Sequence, residues 1–449
     1  MALKGLDIFK LSPKKNCKEC GSPTCMAFSM KVAQGAVSID ACPYFSEDAK
    51  AQLNEATAPP MKTIKVGTGD HEFALGGETV LFRHEKTFVS KTRYAVAISN
   101  AMDDAAVEAK LAEIPKVDYD RIGERMFAEM VYVDYSADAD KDKYLDIVKK
   151  AAGLSRVVVL GCEDVDVAKE AVELVKADKP ILNGANASNY EAMNAVATAA
   201  GVTLGVKGAD INELYDTVAA IEKLGNKNLV IDCGTNSIKE AYAIAVQFRK
   251  AAIKDSNRTC GYPSIVRADV LAKGDAHLQA ALLSLFTMKY GSIIVTEQMT
   301  YAEALPLYGL RQNVFTDPQK PMKVEPGIYP LNGADENSIC VTTVDFALTY
   351  FVVTAELERS GVPMNLIIND AGGLSVLTSW AAGKFSSGSI AKFFEEQKIE
   401  EKIKSRKLVI PGKVAVLKGE LEAKLPGWEI IIAPREAVQL VKFFKELDL

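Results

Sequence analysis

The chain has 449 residues, 48% hydrophobic, 25% charged and 8% aromatic, with a formal net charge of −6. That length predicts two or three domains, and the acidic balance offers nucleic acid no basic footprint, so no nucleic-acid partner is expected. No apolar run reaches the roughly 18–20 residues that span a bilayer, and MALKGLDIFK lacks the apolar stretch and cleavage site of a signal peptide, so a cytoplasmic protein without a membrane partner is expected.

Four of the eight cysteines fall between residues 17 and 42, in NCKECGSPTCMAF…DACPYF. The spacing is C-x2-C-x4-C-x16-C, with Pro43 directly after the last cysteine. Three thiolates crowded on one loop and a fourth returning from further on, followed by proline, is how iron–sulfur clusters are held. Gly21 and Pro23 supply the tight turns that let the first three converge. Cys17, Cys20, Cys25 and Cys42 are therefore expected to ligate a [4Fe–4S] cluster. The alternatives are a structural zinc site, which favours two matched C-x2-C pairs, and a disulfide framework, which a reducing compartment disfavours. Cys162, Cys233, Cys260 and Cys340 are isolated and read as small buried hydrophobes.

A short polar helix ending in EATAPPM closes this first domain, placed at residues 1–58. The domain at 59–316 opens with hairpin-like segments, TIKVGT and ETVLFR. Short apolar strands then alternate with amphipathic helices: YAVAISN, MVYVDY, RVVVLG, PILNGA, VTLGVK, NLVIDC, PSIVRAD and GSIIVTE. Eight strand–helix units of this kind predict a (β/α)8 TIM barrel, because parallel strands buried on both faces read as continuous apolar runs. Polar residues end several strands (Asn100, Asp134, Asn183, Asp232, Asp269, Glu297). Such ends are general in barrels and contain no evident acid–base pair or metal triad, so no catalytic residue is assigned and the barrel is read as scaffold and docking surface. A self-contained pterin-dependent methyltransferase using this barrel is the alternative reading. His277 is expected on a helix surface.

Residues 317–337 carry Pro318, Pro321, Pro326 and Pro330, a density that excludes helix and central strand and predicts an extended connector. The last domain, 317–449, has fewer units: SICVTT, a helix over 345–360, MNLIIND, helices over 374–402, KLVIPG, VAVL, WEIIIAP and a closing helix from Arg435. Too few strands remain to close a barrel, so an open doubly wound α/β sheet is predicted. Ligands of such sheets sit at the carboxyl ends of the strands. Here those ends are Thr342–Thr343, Asp370-Ala371-Gly372-Gly373, Pro411–Gly412 and Ala433–Pro434. Paired glycines before a helix admit a ligand close to the backbone, although DAGG is also an ordinary strand-to-helix turn.

PKKNCKECGSPTCMAFSMKVAQG, together with FALTYFVV and GGLSVLTSWAAGKF near the C-terminus, resembles the large (γ) subunit of corrinoid iron–sulfur proteins of the reductive acetyl-CoA (Wood–Ljungdahl) pathway. It is similar also to the γ subunit of the acetyl-CoA decarbonylase/synthase complex, and the resemblance runs the length of the chain. It implies a methyl carrier of anaerobic carbon fixation. A corrinoid takes a methyl group from methyltetrahydrofolate through a separate methyltransferase and gives it to acetyl-CoA synthase/CO dehydrogenase. The cluster serves as the electron-transfer group that returns Co(II) to Co(I). It implies a heterodimer with a small (β) barrel subunit. It places the corrinoid (cobamide) on the last domain, near Thr342, Thr343, Phe346, Thr349, Asp370, Ala371, Gly372, Gly373, Leu374, Gly412, Ala433 and Pro434. Many cobalamin proteins present a histidine in D-x-H-x-x-G, yet His71, His84 and His277 all lie upstream of this domain. A corrinoid here would have no protein imidazole, and the resemblance implies a base-off state, which favours low-potential methyl transfer over radical chemistry.

Overall fold

The computed structural model describes residues 5–33, 37–46, 49–50, 59–317 and 322–447. The chain forms two compact units, one of Met1–Asp118 with Phe127–Phe315, the other of Tyr119–Met126 with Thr316–Leu449. The chain therefore passes between them three times. The polar helix expected before Pro59, and Pro318 and Pro321 of the connector, lie outside the described residues.

In the first unit, helices Gly5–Leu11 and Cys25–Ala33 pack on a small core containing Ile8, Phe28, Ile39, Cys42 and Phe45. A two-stranded antiparallel sheet follows, β1 (Thr63–Val66) with β2 (Phe73–Gly76). The segment ETVLFR, expected as a strand, forms none. Gly76 and Gly77 are both left-handed and turn the chain out of the sheet, and the buried carboxylate of Glu78 then accepts from the N–H groups of Val89 and Ser90.

The barrel strands are β3 (Arg93–Ser99), β6 (Met130–Asp134), β7 (Val157–Gly161), β8 (Ile181–Ala185), β9 (Thr203–Val206), β10 (Leu229–Asp232), β11 (Ser264–Arg267) and β12 (Ile293–Thr296). They close in chain order into a parallel eight-stranded barrel, with β12 pairing back on β3 at Ile293–Arg93. Each matches one of the eight apolar runs of the sequence. Most of the helices after them start on side-chain caps, for example Asp164, Asp210 and Ser237, each worth about 1 kcal/mol. Closure is reinforced at one buried carboxylate. Glu129 accepts from Arg93 on β3, from the Tyr94 backbone and from Arg311 of the last barrel helix, and both Glu129 and Arg311 are 1% exposed.

The second unit carries a five-stranded sheet in the order β13-β15-β14-β16-β17: Gly327–Leu331, Met364–Asn369, Ile339–Val344, Lys407–Ile410 and Glu429–Ile432. Four strands are parallel. The first, β13, is an antiparallel edge strand within the proline-rich connector. Proline is tolerated there because an edge strand leaves one row of N–H groups unpaired. VAVL, expected as a strand, is a 3-10 turn over Gly412–Leu417: Val414 and Leu417 are buried at helical spacing while Val416 faces out. The helix expected over 345–360 spans Ala347–Ser360. That over 374–402 is broken into Val376–Ala381, Ser387–Glu396 and Ile399–Lys402. A polar hairpin absent from the sequence expectation, β4 (Asp118–Arg121) with β5 (Glu124–Phe127), leaves the barrel before β6. Its Arg121 guanidinium lies 5.1 Å from the Phe351 ring.

Candidate functional sites

The cysteine loop runs between the first two helices. Lys14, Asn16 and Lys18 adopt left-handed backbone, as does Gly21, so the loop coils tightly. Asn16 pins it. Its side-chain oxygen accepts from the Cys25 N–H at 2.8 Å, and its own N–H donates to Cys25 Sγ at 3.3 Å. Cys25 and Cys42 are buried, Cys20 is half-buried against the same core, and Cys17 is exposed. The Tyr44 hydroxyl donates to Glu19 at 2.9 Å, and this bond and the Glu19 charge raise its phenol. Among the described residues no three His, Cys, Asp or Glu side chains converge as metal ligands. The donor set nonetheless suits an iron–sulfur cluster: thiols alone, on a strained loop, one sulfur already accepting a backbone N–H.

The isolated cysteines are all buried. Burial pushes Cys162 and Cys340 up to about 12 and Cys260 to about 11, which keeps these thiols protonated and inert. His277 is fully exposed beside the helix cap Asp275.

In the second unit a cavity of about 380 Å³ opens at the carboxyl ends of β14, β16 and β17. Thr342, Thr343, Phe346, Thr349, Ala433 and Pro434 line it, as the sequence reading placed them. The rest of that set does not. Asp370, Ala371, Gly372, Gly373 and Leu374 form the turn before the lining residues Ser375, Val376 and Leu377. Gly412 lies beneath the floor, where a Cβ would meet the Ala433 carbonyl oxygen at 2.2 Å, while its neighbours Pro411 and Lys413 line the cavity.

Two features mark the cavity as a seat. The Thr343 hydroxyl is buried without a partner, an arrangement that costs about 1–3 kcal/mol unless something fills it. Leu348, Val352 and Leu377 line the cavity and are 63%, 46% and 47% exposed. Large apolar side chains gathered at a rim mark a surface that is covered in use. Both fit a large ligand with an apolar face and polar fringe, and the three histidines of the chain all lie outside this unit.

One residue that sequence reasoning missed organises the rim. Asp345 is fully buried at the end of β14, and its carboxylate accepts from the Ala371 N–H at 3.0 Å and the Gly373 N–H at 3.0 and 3.1 Å. Gly372 and Gly373 are both left-handed, a pairing that only glycine adopts without strain. Lys323 approaches Asp345 at 3.9 Å and Asp370 at 3.7 Å. Burial raises the Asp345 carboxyl, and the two N–H groups and Lys323 offset that in part.

Of the six polar strand ends, Asp134, Asn183 and Asp232 converge on one cavity, while Asn100, Asp269 and Glu297 do not line it. Tyr132, Asp134, Asn183, Asp232 and Arg267 line one cavity of about 460 Å³.

A family model described as CO dehydrogenase/acetyl-CoA synthase delta subunit matches residues 63–444, and one described for an Fe-S cluster matches residues 13–44. The chain is 40% identical to the corrinoid/iron-sulfur protein large subunit of Moorella thermoacetica, over 99% of this chain and 98% of that one. It is 31% identical to the acetyl-CoA decarbonylase/synthase complex subunit gamma of Methanopyrus kandleri, over 100% and 98%. The corresponding gamma subunit of Methanothermobacter thermautotrophicus is 28% identical, over 100% and 99%. The delta-subunit model starts after the cysteine quartet, whereas these relatives match through it. The chain therefore belongs to the family of corrinoid/iron–sulfur protein large subunits and acetyl-CoA decarbonylase/synthase gamma subunits.

Proposed function

We propose that this protein is the methyl-carrying component of an acetyl-CoA-forming methyltransferase system. A [4Fe–4S] cluster would be held by Cys17, Cys20, Cys25 and Cys42, and a base-off corrinoid by the second unit. When bound, the corrinoid supplies the cobalt that carries the methyl group, and the cluster supplies the electron that restores Co(I). The observation that carries the reading is the cavity at the ends of β14, β16 and β17, with its unpartnered Thr343 hydroxyl and exposed apolar rim.

The residues divide the work. Leu348, Val352 and Leu377 offer an apolar face to the ring, and the Thr343 hydroxyl a hydrogen bond to its polar fringe. Asp345 and the two glycines hold the rim in shape. No residue of 317–449 is a histidine, so this part of the chain would offer the cofactor no imidazole. A corrinoid is much larger than 380 Å³, so this unit covers only part of it. A small barrel subunit, as a heterodimer, would cover more. A methyltetrahydrofolate methyltransferase and acetyl-CoA synthase/CO dehydrogenase would take turns at the exposed face.

The test is methyl transfer with purified components. The anaerobically isolated protein, with its small subunit, should take up a labelled methyl group from methyltetrahydrofolate only when the methyltransferase is present. It should then release the label to acetyl-CoA synthase. Uptake without any methyltransferase would instead make the chain a self-contained enzyme and overturn the carrier reading.

A further inference from the structure

The cavity at the mouth of the barrel is built on an uncompensated set of acceptors. Asn183 (3% exposed) and Asp232 (5% exposed) come from β8 and β10. Asn183 Nδ2 donates to Asp232 Oδ2 at 2.8 Å and to Tyr132 Oη at 2.9 Å. A carboxylate oxygen requires a donor, so these bonds fix the amide orientation and leave Asn183 Oδ1 as the remaining acceptor. That oxygen is buried and has no partner. Asp232 Oδ1 accepts only the Gly234 N–H, at 2.9 Å, and no cation among the described residues pairs with the carboxylate. The nearby guanidinium of Arg267 is engaged elsewhere, with Asp134 at 3.0 Å and Asp269 at 2.8 Å, and rests over the Tyr132 ring at 4.1 Å.

Local backbone makes room for this arrangement. The β8–β9 ladder shifts register between Asn183 and Ala185, so the strand is irregular where Asn183 sits. At Gly205 on β9 a Cβ would lie 2.2 Å from Asn183 Oδ1, and at Gly161 on β7 one would lie 2.4 Å from the Tyr132 ring. Both strands forgo side chains where Asn183 and Tyr132 cross the barrel. A scaffold has no need to bury an unpaired acceptor beside an unpaired carboxylate. A ligand that brings N–H donors satisfies both.

We propose that this barrel mouth binds a planar heterocycle through a 2-amino-4-oxopyrimidine edge, the edge shared by pterins and guanine. The ring N–H and exocyclic amino group donate to Asp232 and Asn183 Oδ1. The guanidinium of Arg267, on the same cavity wall, suits the ring carbonyl. The site lies wholly in the barrel unit and does not rest on the corrinoid reading.

Equilibrium dialysis of the full-length, cofactor-loaded protein tests this with three probes: pterin, its 2-desamino counterpart lumazine (2,4-dioxopteridine), and guanosine. Saturable binding of pterin or of guanosine is expected, and whichever binds tighter identifies the source of the edge. Lumazine should bind more weakly than pterin by roughly tenfold to a hundredfold, the loss expected for a charge-assisted hydrogen bond, and Asp232→Asn should weaken the preferred probe similarly. Failure of both pterin and guanosine to saturate, or equal affinity for pterin and lumazine, overturns the proposal without any variant having to fold. So does unchanged affinity in a folded Asp232→Asn protein.

Discussion

Asp345 gives the sharpest handle on the cavity at the ends of β14, β16 and β17. Replacing it with alanine strands two buried N–H donors, those of Ala371 and Gly373. Each orphaned buried donor costs about 1–3 kcal/mol, so Asp345→Ala should destabilise the second unit by about 2–6 kcal/mol. Asp345→Asn keeps one acceptor oxygen and the side-chain shape, and should cost about half as much. The assay is built in: both tryptophans of the chain, Trp380 and Trp428, lie in this unit, and Trp428 is buried against Phe394. Tryptophan fluorescence during urea unfolding therefore reports on this unit alone. Hydrogen exchange should quicken first at Ala371 and Gly373. An alanine variant within about 0.5 kcal/mol of the parent, the scatter of ordinary surface changes, would refute the clamp.

Three further outcomes follow from the same geometry. Burial raises the Asp345 carboxyl above its ordinary 3.8, so the folded chain holds that proton more tightly than the unfolded one. The proton-linked part of this group's contribution is therefore complete below 3.8 and is lost as pH rises through the raised value, while its hydrogen bonds persist, and Asp345→Asn should flatten that slope in pH-dependent urea unfolding. Glu129→Ala leaves Arg311 buried without its carboxylate and should destabilise the barrel by about 3–5 kcal/mol, read by far-ultraviolet circular dichroism on heating. Cys20→Ala should remove the cluster iron and abolish reductive reactivation of oxidised cobalt, while release of a preloaded methyl group proceeds at the parental rate. Equal loss of both activities would place the cluster in every turnover.

The barrel was legible because its strands are buried on both faces and interrupt the helical periodicity as short apolar runs such as RVVVLG and NLVIDC. The hairpin DYDR–ERMF escaped because β4 is polar with no buried residue and β5 buries two adjacent residues, Met126 and Phe127, instead of alternate ones. VAVL misled because a four-residue apolar run fits a strand or a helical turn equally well. At the cavity of the second unit, Thr342, Thr343, Ala433 and Pro434 could be placed from strand ends alone. Asp345 could not, since its partners lie 26 and 28 residues away and meet it only once β14 and β15 pair. Asp134, Asn183 and Asp232 were each visible as polar strand ends, yet only barrel closure brings them into one cavity. Arg267 left one trace in sequence, a charge inside the apolar run PSIVRAD.

The most direct test of the account is cobalt and iron analysis of anaerobically purified protein together with its visible spectrum, beside a Cys20→Ala sample. Cobalt and corrinoid bands are expected alongside iron–sulfur absorption in the parent, and cobalt retained with iron lost in the variant. Iron without cobalt in the parent, isolated with its small subunit, would contradict it.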